Sequence, residues 1–349
     1  MPEYLIQGST LTAIGDAIRA KNGTTGNMTP TAMATAITNI STGYPNGKEW
    51  TRSNIQSGQF YGIVNANGLW VACSNKGLYY SADGKEWTQS NITNSVNTVV
   101  NVNGLWVVGA SGLLYSSDGM TWTQSNITSG RFDAIANANG LWLAANGSDL
   151  YYSTDGMTWT QSDLVGYGFN NVANANGLWV ACASVGLLYS TDGMTWTKSN
   201  IASGSFDSIA NANGLWLVHV YNDGLYYSTD GMTWTALSAF ATGNLYALCN
   251  ATGLWVAATE NGLYYSADGQ AWTQSNITSG YFYDVAYANG MWVAAGYLVA
   301  KGMYYSVDGK SWTKADGYDT YCQKVVNANG VWVASSERGL HYSVTWEPS

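Results

Sequence analysis

Three aspartates, Asp133, Asp207 and Asp284, stand at similar places in a recurring stretch of this chain. Two carboxylates facing one another across a cleft would suit hydrolysis of a glycosidic bond, one as acid and the other as base or nucleophile. Recurrence of the same aspartate from copy to copy points instead to repeat structure. Metal chemistry has little to draw on: His219 and His341 are the only imidazoles, and Cys73, Cys182, Cys249 and Cys322 lack C-x-x-C spacing. No metal and no cofactor is expected. Tyr, Trp, Asn, Ser and Thr dominate the chain, and aromatic faces beside planar amides and hydroxyls are what grips a sugar. Most of the Tyr and Trp also belong to the repeat, so they equally suit a core.

The repeat that positions these residues is seen most clearly in residues 151 to 180, YYSTDGMTWTQSDLVGYGFNNVANANGLWV. Aligned copies place Asp-Gly turns at Asp83, Asp118, Asp155, Asp192, Asp230, Asp268 and Asp308, spaced by 35, 37, 37, 38, 38 and 40 residues. Such a period means a repeat architecture. Each copy reads as four short strands: FDAIANA, an Asn139-Gly140 hairpin turn, LWLAA, a looser loop, LYYS, the Asp155-Gly156 turn and MTWTQS. Neither face of these strands looks made for water, so the sheets must pack on both sides. The expected fold is all-β, an eight-bladed propeller of four-stranded antiparallel blades. Inner strands with Trp occur eight times, from Trp70 to Trp332. The Gly47 to Thr51 copy of the outer strand precedes the first blade, and the last copy has lost its turn. Residues 47 to 54 are therefore expected to complete the last blade, with Trp346 as the competing outer strand.

The segment S-x-D-G-x-T-W, at 116 to 122, 153 to 159, 190 to 196 and 228 to 234, resembles the Asp-box of neuraminidase-type propeller repeats, shortened by one residue between Asp and Gly. The resemblance implies that these Asp and Trp are scaffold, distant from any catalytic centre. It also implies, for a sialidase, an arginine triad, a Tyr-Glu nucleophile pair and an acid Asp. The chain holds only Arg19, Arg52, Arg131 and Arg338, too few for such a triad.

Residues 1 to 43 differ in kind from the propeller at 44 to 349. Leu11, Ile14 and Ile18 recur at helical spacing behind Ser9-Thr10, and a second helix is expected from Thr29 with Pro30 at its first turn and Met33, Ile37 and Ile40 on one face. LTAIGDAIRAKNGTTGNMTPTAMATAITNI, at 11 to 40, resembles a helix-loop-helix segment of tail and fibre proteins of phages and prophages of Gram-positive bacteria. That likeness implies a phage virion, assembled in the host cytoplasm. Residues 9 to 40 would then attach to other tail proteins or form a homo-oligomer.

A net charge of −9 with 13 Lys and Arg in all argues against nucleic acid as partner. No apolar run is long enough to span a bilayer, the start of the chain does not read as a secretory signal, and unpaired cysteines suit a reducing compartment.

The copies differ most in the loops between second and third strands and in the inter-blade connections, which share one rim. These are SNKG at 74 to 77, GASG at 109 to 112, HVYNDG at 219 to 224, GYLVAKG at 296 to 302 and SSERG at 335 to 339. Such variation marks either a ligand site or drift in solvated loops. The expected function is non-enzymatic recognition of a bacterial cell-surface carbohydrate on this rim, using Asn75, Lys76, Arg131, His219, Tyr221, Asn222, Tyr281, Tyr297 and Arg338. The low charge favours neutral sugars. A glycoside hydrolase and a purely structural or protein-interaction propeller are the alternatives.

Overall fold

The computed structural model describes residues 47–343 apart from 222, 238–242, 298, 299 and 317, and apart from the side chain of Asp207. The expected helices of residues 1 to 43, Asn222 and Trp346 lie outside the described residues. The chain forms eight four-stranded antiparallel sheets. Their first strands begin at Phe60, Thr98, Ala134, Phe169, Phe206, Leu245, Tyr281 and Cys322, which number blades 1 to 8.

Blade 3 shows how the sequence makes each sheet. Ala134–Ala138 pairs with Leu141–Ala145 through an Asn139-Gly140 turn whose φ angles are 51° and 83°, the left-handed pair that a two-residue hairpin needs. Asn or Gly adopts this at little cost, and blade 6 alone substitutes a β-branched residue there, Thr252 at φ 53°. The next turn is tied by its own side chains. Ser153 Oγ donates to Asp155 Oδ1 (2.9 Å) and accepts from the N–H of Gly156 (2.8 Å), while Asp155 Oδ1 accepts from the N–H groups of Met157 (2.8 Å) and Thr158 (2.7 Å). In the same turn of blade 4, N–H donors from Thr195 and Met194 hold the Asp192 carboxyl down at about 2. Gly156 has φ 70°, and a Cβ there would meet Leu105 of blade 2 at 2.7 Å and Trp142 of its own blade at 3.1 Å. The turn is thus a wedge between neighbouring blades, and only glycine fits.

Packing between blades forms the core. Val71, Cys73 and Leu78 of blade 1 join Val99, Trp106, Val108 and Trp122 of blade 2 in one cluster. The inner Trp residues, from Trp70 to Trp332, are at most 4% exposed. Cys73, Cys182, Cys249 and Cys322 are unpaired within this packing. Burial pushes the Cys73 and Cys322 thiols up to about 12 and that of Cys249 to about 11, so they behave as small apolar side chains.

A further link between blades was not foreseen in the repeat. Asn126, just past the outer strand of blade 3's predecessor, holds Trp159 of blade 3 with both ends of its amide: Nδ2 donates to Trp159 O and Oδ1 accepts from Trp159 N, each at 2.8 Å. Asn91 with Trp122, Asn200 with Trp234 and Asn276 with Trp312 repeat it.

The ring closes as the sequence implies. Trp50–Arg52 pairs antiparallel with Gly339–Ser343, in register Trp50↔Ser343, and completes the sheet of blade 8. Gly47 occupies the wedge position against Val293 and Trp332, and Trp50 Nε1 donates to Gly47 O (2.8 Å). Asn54 then clamps Trp87 of blade 1 across the seam, at 2.8 and 2.9 Å. Phe60, Trp70 and Trp87 of blade 1 pack there on Val333 and Leu340 of blade 8.

The seam generates predictions of two kinds, the first on stability. Asn54→Ala leaves the Trp87 N–H and C=O without their partner, and is expected to cost about 1–3 kcal/mol in denaturant melts. Deleting residues 1 to 54 is expected to lower the melting temperature well below that of a 1-to-43 deletion; equal melts for the two truncations would contradict closure by this strand. The second concerns pH. His341 pairs with Arg52 in the closing sheet and is 6% exposed, with its ring edge-on to Tyr318 at 4.7 Å. Burial, and secondarily the Arg52 charge, push its imidazole down to about 4. An unfolded chain protonates its histidine near 6.5, so the stability lent by neutral His341 is complete above that pH and is lost as pH falls towards 4. The Asp-Gly carboxylates lose theirs only lower, below the ordinary carboxylate range. Thermal melts are expected to decline between pH 6.5 and 4, and His341→Gln to flatten that decline while sparing the one below pH 4. An unchanged slope in the variant would refute the assignment.

Candidate functional site

The variable rim owes its shape to a bulge. In blades 1, 4, 5, 6, 7 and 8 the pairing of first and second strands shifts by one residue between Phe60/Gly62, Phe169/Asn171, Phe206/Ser208, Leu245/Ala247, Phe282/Asp284 and Cys322/Lys324. The skipped residues are Tyr61, Asn170, Asp207, Tyr246, Tyr283 and Gln323. A bulge releases its extra residue from the ladder and re-aims its side chain. Asn97 and Asp133, each following a buried Val96 or Phe132, stand at the same point in blades 2 and 3. One position in every blade therefore surrounds the mouth of the channel on this rim.

The residues at that position divide the mouth in two. Blades 2 to 5 supply Asn97, Asp133, Asn170 and Asp207, whereas blades 6, 7, 8 and 1 supply Tyr246, Tyr283, Gln323 and Tyr61. On the second half, a cleft of about 240 Å³ is lined by Tyr61, Tyr246, Tyr283, Gln323 and Lys324, with Gln59. Gln59 and Gln323 also line a second cleft of about 330 Å³, bounded by Asn75, Lys76, Tyr297, Tyr321 and Glu337, so the two form one groove. Four tyrosines run along it: Tyr246 to Tyr283 at 4.5 Å between ring centres, Tyr283 to Tyr297 at 4.8 Å, and Tyr297 to Tyr321 at 4.8 Å. Burial pushes the Tyr246 and Tyr283 hydroxyls upward, so they act as neutral donors and acceptors.

The walls are held by backbone contacts. Asn75 Oδ1 accepts from Gln59 N (3.0 Å), and Asn75 N donates to Gln59 O (3.0 Å). Lys76 Nζ donates to Ser57 Oγ (2.8 Å), Lys301 Nζ lies 4.8 Å from the centre of the Tyr321 ring, and Glu337 Oε1 accepts from Thr320 Oγ1 (3.3 Å).

Of the residues expected from the sequence, Asn75, Lys76 and Tyr297 meet in this groove. Tyr281 is the strand partner of Tyr297, and Arg338 is exposed beside Glu337, bridged to Gly58 at the groove's edge. Arg131 is elsewhere, on blade 3, in an exposed ion pair with Asp133 at 2.9 Å. Tyr221 is 46% exposed on blade 5, away from the groove. His219 is corrected outright: it lies inside the second strand of blade 5, paired with Ser208 and Leu225, and is 1% exposed, because the loop begins two residues later than its sequence implies. The groove residues missed were Gln59, Tyr61, Tyr246, Tyr283, Tyr321, Gln323, Lys324 and Glu337. Alignment of the residue following each blade's first buried anchor would have exposed the Tyr-rich half.

The equivalence of Asp133, Asp207 and Asp284 is also corrected. Asp133 and Asp207 sit at the bulge position, but Asp284 follows the bulged Tyr283 and is in register with Ala295. Its Oδ2 accepts from Val325 N (3.0 Å) and lies 4.0 Å from Lys324 Nζ, and burial pushes its carboxyl upward. Asp284 on blade 7 and Asp133 on blade 3 stand on opposite sides of the ring, which no acid–base pair spanning about 5–9.5 Å permits. Among the described residues that line the groove, Glu337 is the one carboxylate. Among the described residues no group of three or more His, Cys, Asp or Glu is placed to hold a metal, and no helix is long and apolar enough to cross a membrane.

No protein-family model matches this chain, and no curated protein matches it in sequence. Solved structures do match in fold. The computationally designed Ika8 protein aligns with a TM-score of 0.68 at 11% identity, over 83% of this chain and 98% of its own. YCF48 from Cyanidioschyzon merolae aligns with a TM-score of 0.60 at 14% identity, over 86% and 99%. The GH74 enzyme of Niastella koreensis aligns with a TM-score of 0.53 at 21% identity over 81% of this chain, which spans 48% of that enzyme. At these identities the likeness is one of fold, and the fold they share with this chain is the β-propeller.

Proposed function

We propose that this chain is a receptor-binding protein of a phage tail that grips a bacterial cell-surface carbohydrate, without cleaving it, in the groove over blades 6, 7, 8 and 1. The observation that carries this reading is the run of four tyrosines flanked by Gln59, Asn75 and Gln323. Sugar rings stack on aromatic faces, and planar amides take their hydroxyls. A single carboxylate in the groove supports binding over hydrolysis.

Topology supports the same reading. Trp50 pairs with Ser343, so both ends of the described chain leave from the rim of the Asp-Gly turns, opposite the groove. Residues 9 to 40, with their resemblance to phage tail segments, would anchor the chain to other tail proteins or to further copies from that side. The ligand rim would then face outwards from the virion. The Asp-Gly turns, resembling a shortened Asp-box, would serve only as scaffold. Several copies acting together would raise a weak single-site affinity.

The test is a whole-cell and polysaccharide binding screen, run beside a hydrolysis assay on the same polysaccharides. Tyr283→Ala, Tyr297→Ala and Tyr321→Ala are each expected to weaken binding roughly tenfold, a loss of about 1.4 kcal/mol, with melting unchanged. Tyr221→Ala is expected to leave binding intact. Product release abolished by Glu337→Gln would make the protein a hydrolase and overturn the proposal, as would binding indifferent to all three groove tyrosines.

A further inference from the structure

Resting on the carbohydrate reading above, we infer that the groove selects an anionic saccharide, one bearing carboxylate or phosphate groups, over the neutral sugars that the composition favours. The chain carries a net charge of −9, which repels a polyanion at long range. Its rim is nonetheless polarised. Lys76 and Lys324 line the groove, Lys301 sits over the face of Tyr321, and Arg338 is exposed at the edge.

This half carries carboxylates too, with Glu260 beside Tyr246 and Asp316 exposed between blades 7 and 8, but those nearest the lysines are engaged. Glu337 accepts from Thr320, Asp319 is held by Lys314 Nζ at 3.2 Å, and Asp284 is withdrawn between blades 7 and 8 with its side chain 16% exposed. The other half of the rim holds Asp133, at the position equivalent to the bulge, and Asp149, Asp163 and Asp223 in the loops and connections of blades 3 to 5, against the cations Arg131 and Lys198. Cations thus gather where the tyrosines are, whereas carboxylates are spread over both halves. Drift in solvated loops gives no reason for cations and tyrosines to coincide.

The cations are also held ready. Lys76 Nζ is fixed by Ser57 Oγ at 2.8 Å, and the Lys301 ammonium by the Tyr321 ring at 4.8 Å. Each keeps further N–H donor capacity for an incoming oxyanion, because an ammonium has three donors. Prior fixing of long side chains lowers the ordering cost on binding. Stacked sugar rings along the four tyrosines would place their charged substituents beside Lys76 on one wall and Lys301 on the other.

The experiment measures binding of the full chain to three immobilised polymers: polygalacturonate, poly(glycerol phosphate) and dextran. Each is measured at about 50 and about 300 mM NaCl, a range over which screening shortens from beyond 10 Å to well below it. Binding to polygalacturonate or to poly(glycerol phosphate) is expected to exceed that to dextran at least tenfold and to weaken severalfold at the higher salt. Whichever of the two binds identifies the source of the negative charge. The Lys76→Met, Lys301→Met double variant is expected to lose most of this preference. A Lys85→Met, Lys310→Met control on the opposite rim is expected to keep it. Equal, salt-independent binding to all three polymers overturns the anionic inference and leaves the carbohydrate reading standing. A loss as large in the control as in the groove variant also overturns it, because the attraction would then be diffuse. Absence of binding to every polymer, dextran included, overturns both.

Discussion

Every blade of this protein depends on ring closure. A blade is apolar on both faces, so each needs a neighbour on either side, and the first and last can satisfy this only by meeting each other. The outer strand of the last blade is Trp50–Arg52, which comes from the opposite end of the described chain. Closure is therefore a hydrogen-bonded and packed joint with no chain continuity through it. Gly47, Trp50 and Asn54 reproduce there the wedge, the indole bond and the amide clamp that blades 3 and 7 make with Gly, Trp and Asn. The loop closed by this strand is nearly the whole propeller, and its ordering cost must be met by that joint together with the blade 8 to blade 1 core.

The same joint explains residues that look out of place on a surface. Lys48, Lys85 and Lys310 each follow the wedge glycine and lie over a tyrosine of the preceding blade, Tyr305, Tyr342 and Tyr265, at 5.3, 5.9 and 5.5 Å from the ring centres. In blades 2 to 5 the same position holds Met120, Met157, Met194 and Met232, 37–49% exposed. Both residue types present a long flexible stem and favourable contact with an aromatic ring. The exposed methionines thus take the place, blade by blade, that the lysines fill elsewhere. Six inner-strand asparagines, Asn65, Asn101, Asn174, Asn211, Asn250 and Asn327, bury an Nδ2 that has no protein partner; the geometry gives no physical account of that cost.

The fold was legible because each structural requirement repeats. Asn139-Gly140 and its counterparts spell a hairpin, Asp155-Gly156 and its counterparts spell a tied turn, and the period between them spells a ring. Even the origin of the last outer strand followed from an orphan copy at Trp50. The site was less legible because it rests on single-residue offsets. Asp284 reads as the counterpart of Asp133 until Tyr283 is recognised as the bulged residue, and His219 reads as a loop residue until Val220 is seen to continue the strand. Periodicity carries no information about such offsets, since it averages over copies, whereas the groove is made of their differences. Tyr321 and Glu337 show the other limit: they come from an inter-blade connection and a hairpin loop, and only the ring brings them beside Tyr297 of the preceding blade.

The bulge also explains why function could concentrate where it does. Residues in the paired strands are constrained twice, by the ladder and by the facing blade, and most of them are apolar in every copy. The bulged residue escapes both constraints, because it has no strand partner and its side chain is directed away from the ladder. Phe60, Phe169, Phe206, Leu245, Phe282 and Cys322, immediately before it, are at most 4% exposed and keep the strand anchored. Tyr, Asn, Asp and Gln can therefore exchange at one position per blade without disturbing the packing that closes the ring. A ring of tolerant positions, each carried on a rigid strand, lets recognition vary while the scaffold stays fixed. The two halves of the mouth, mostly tyrosine on one side and amide and acidic on the other, are what that freedom has produced in this chain.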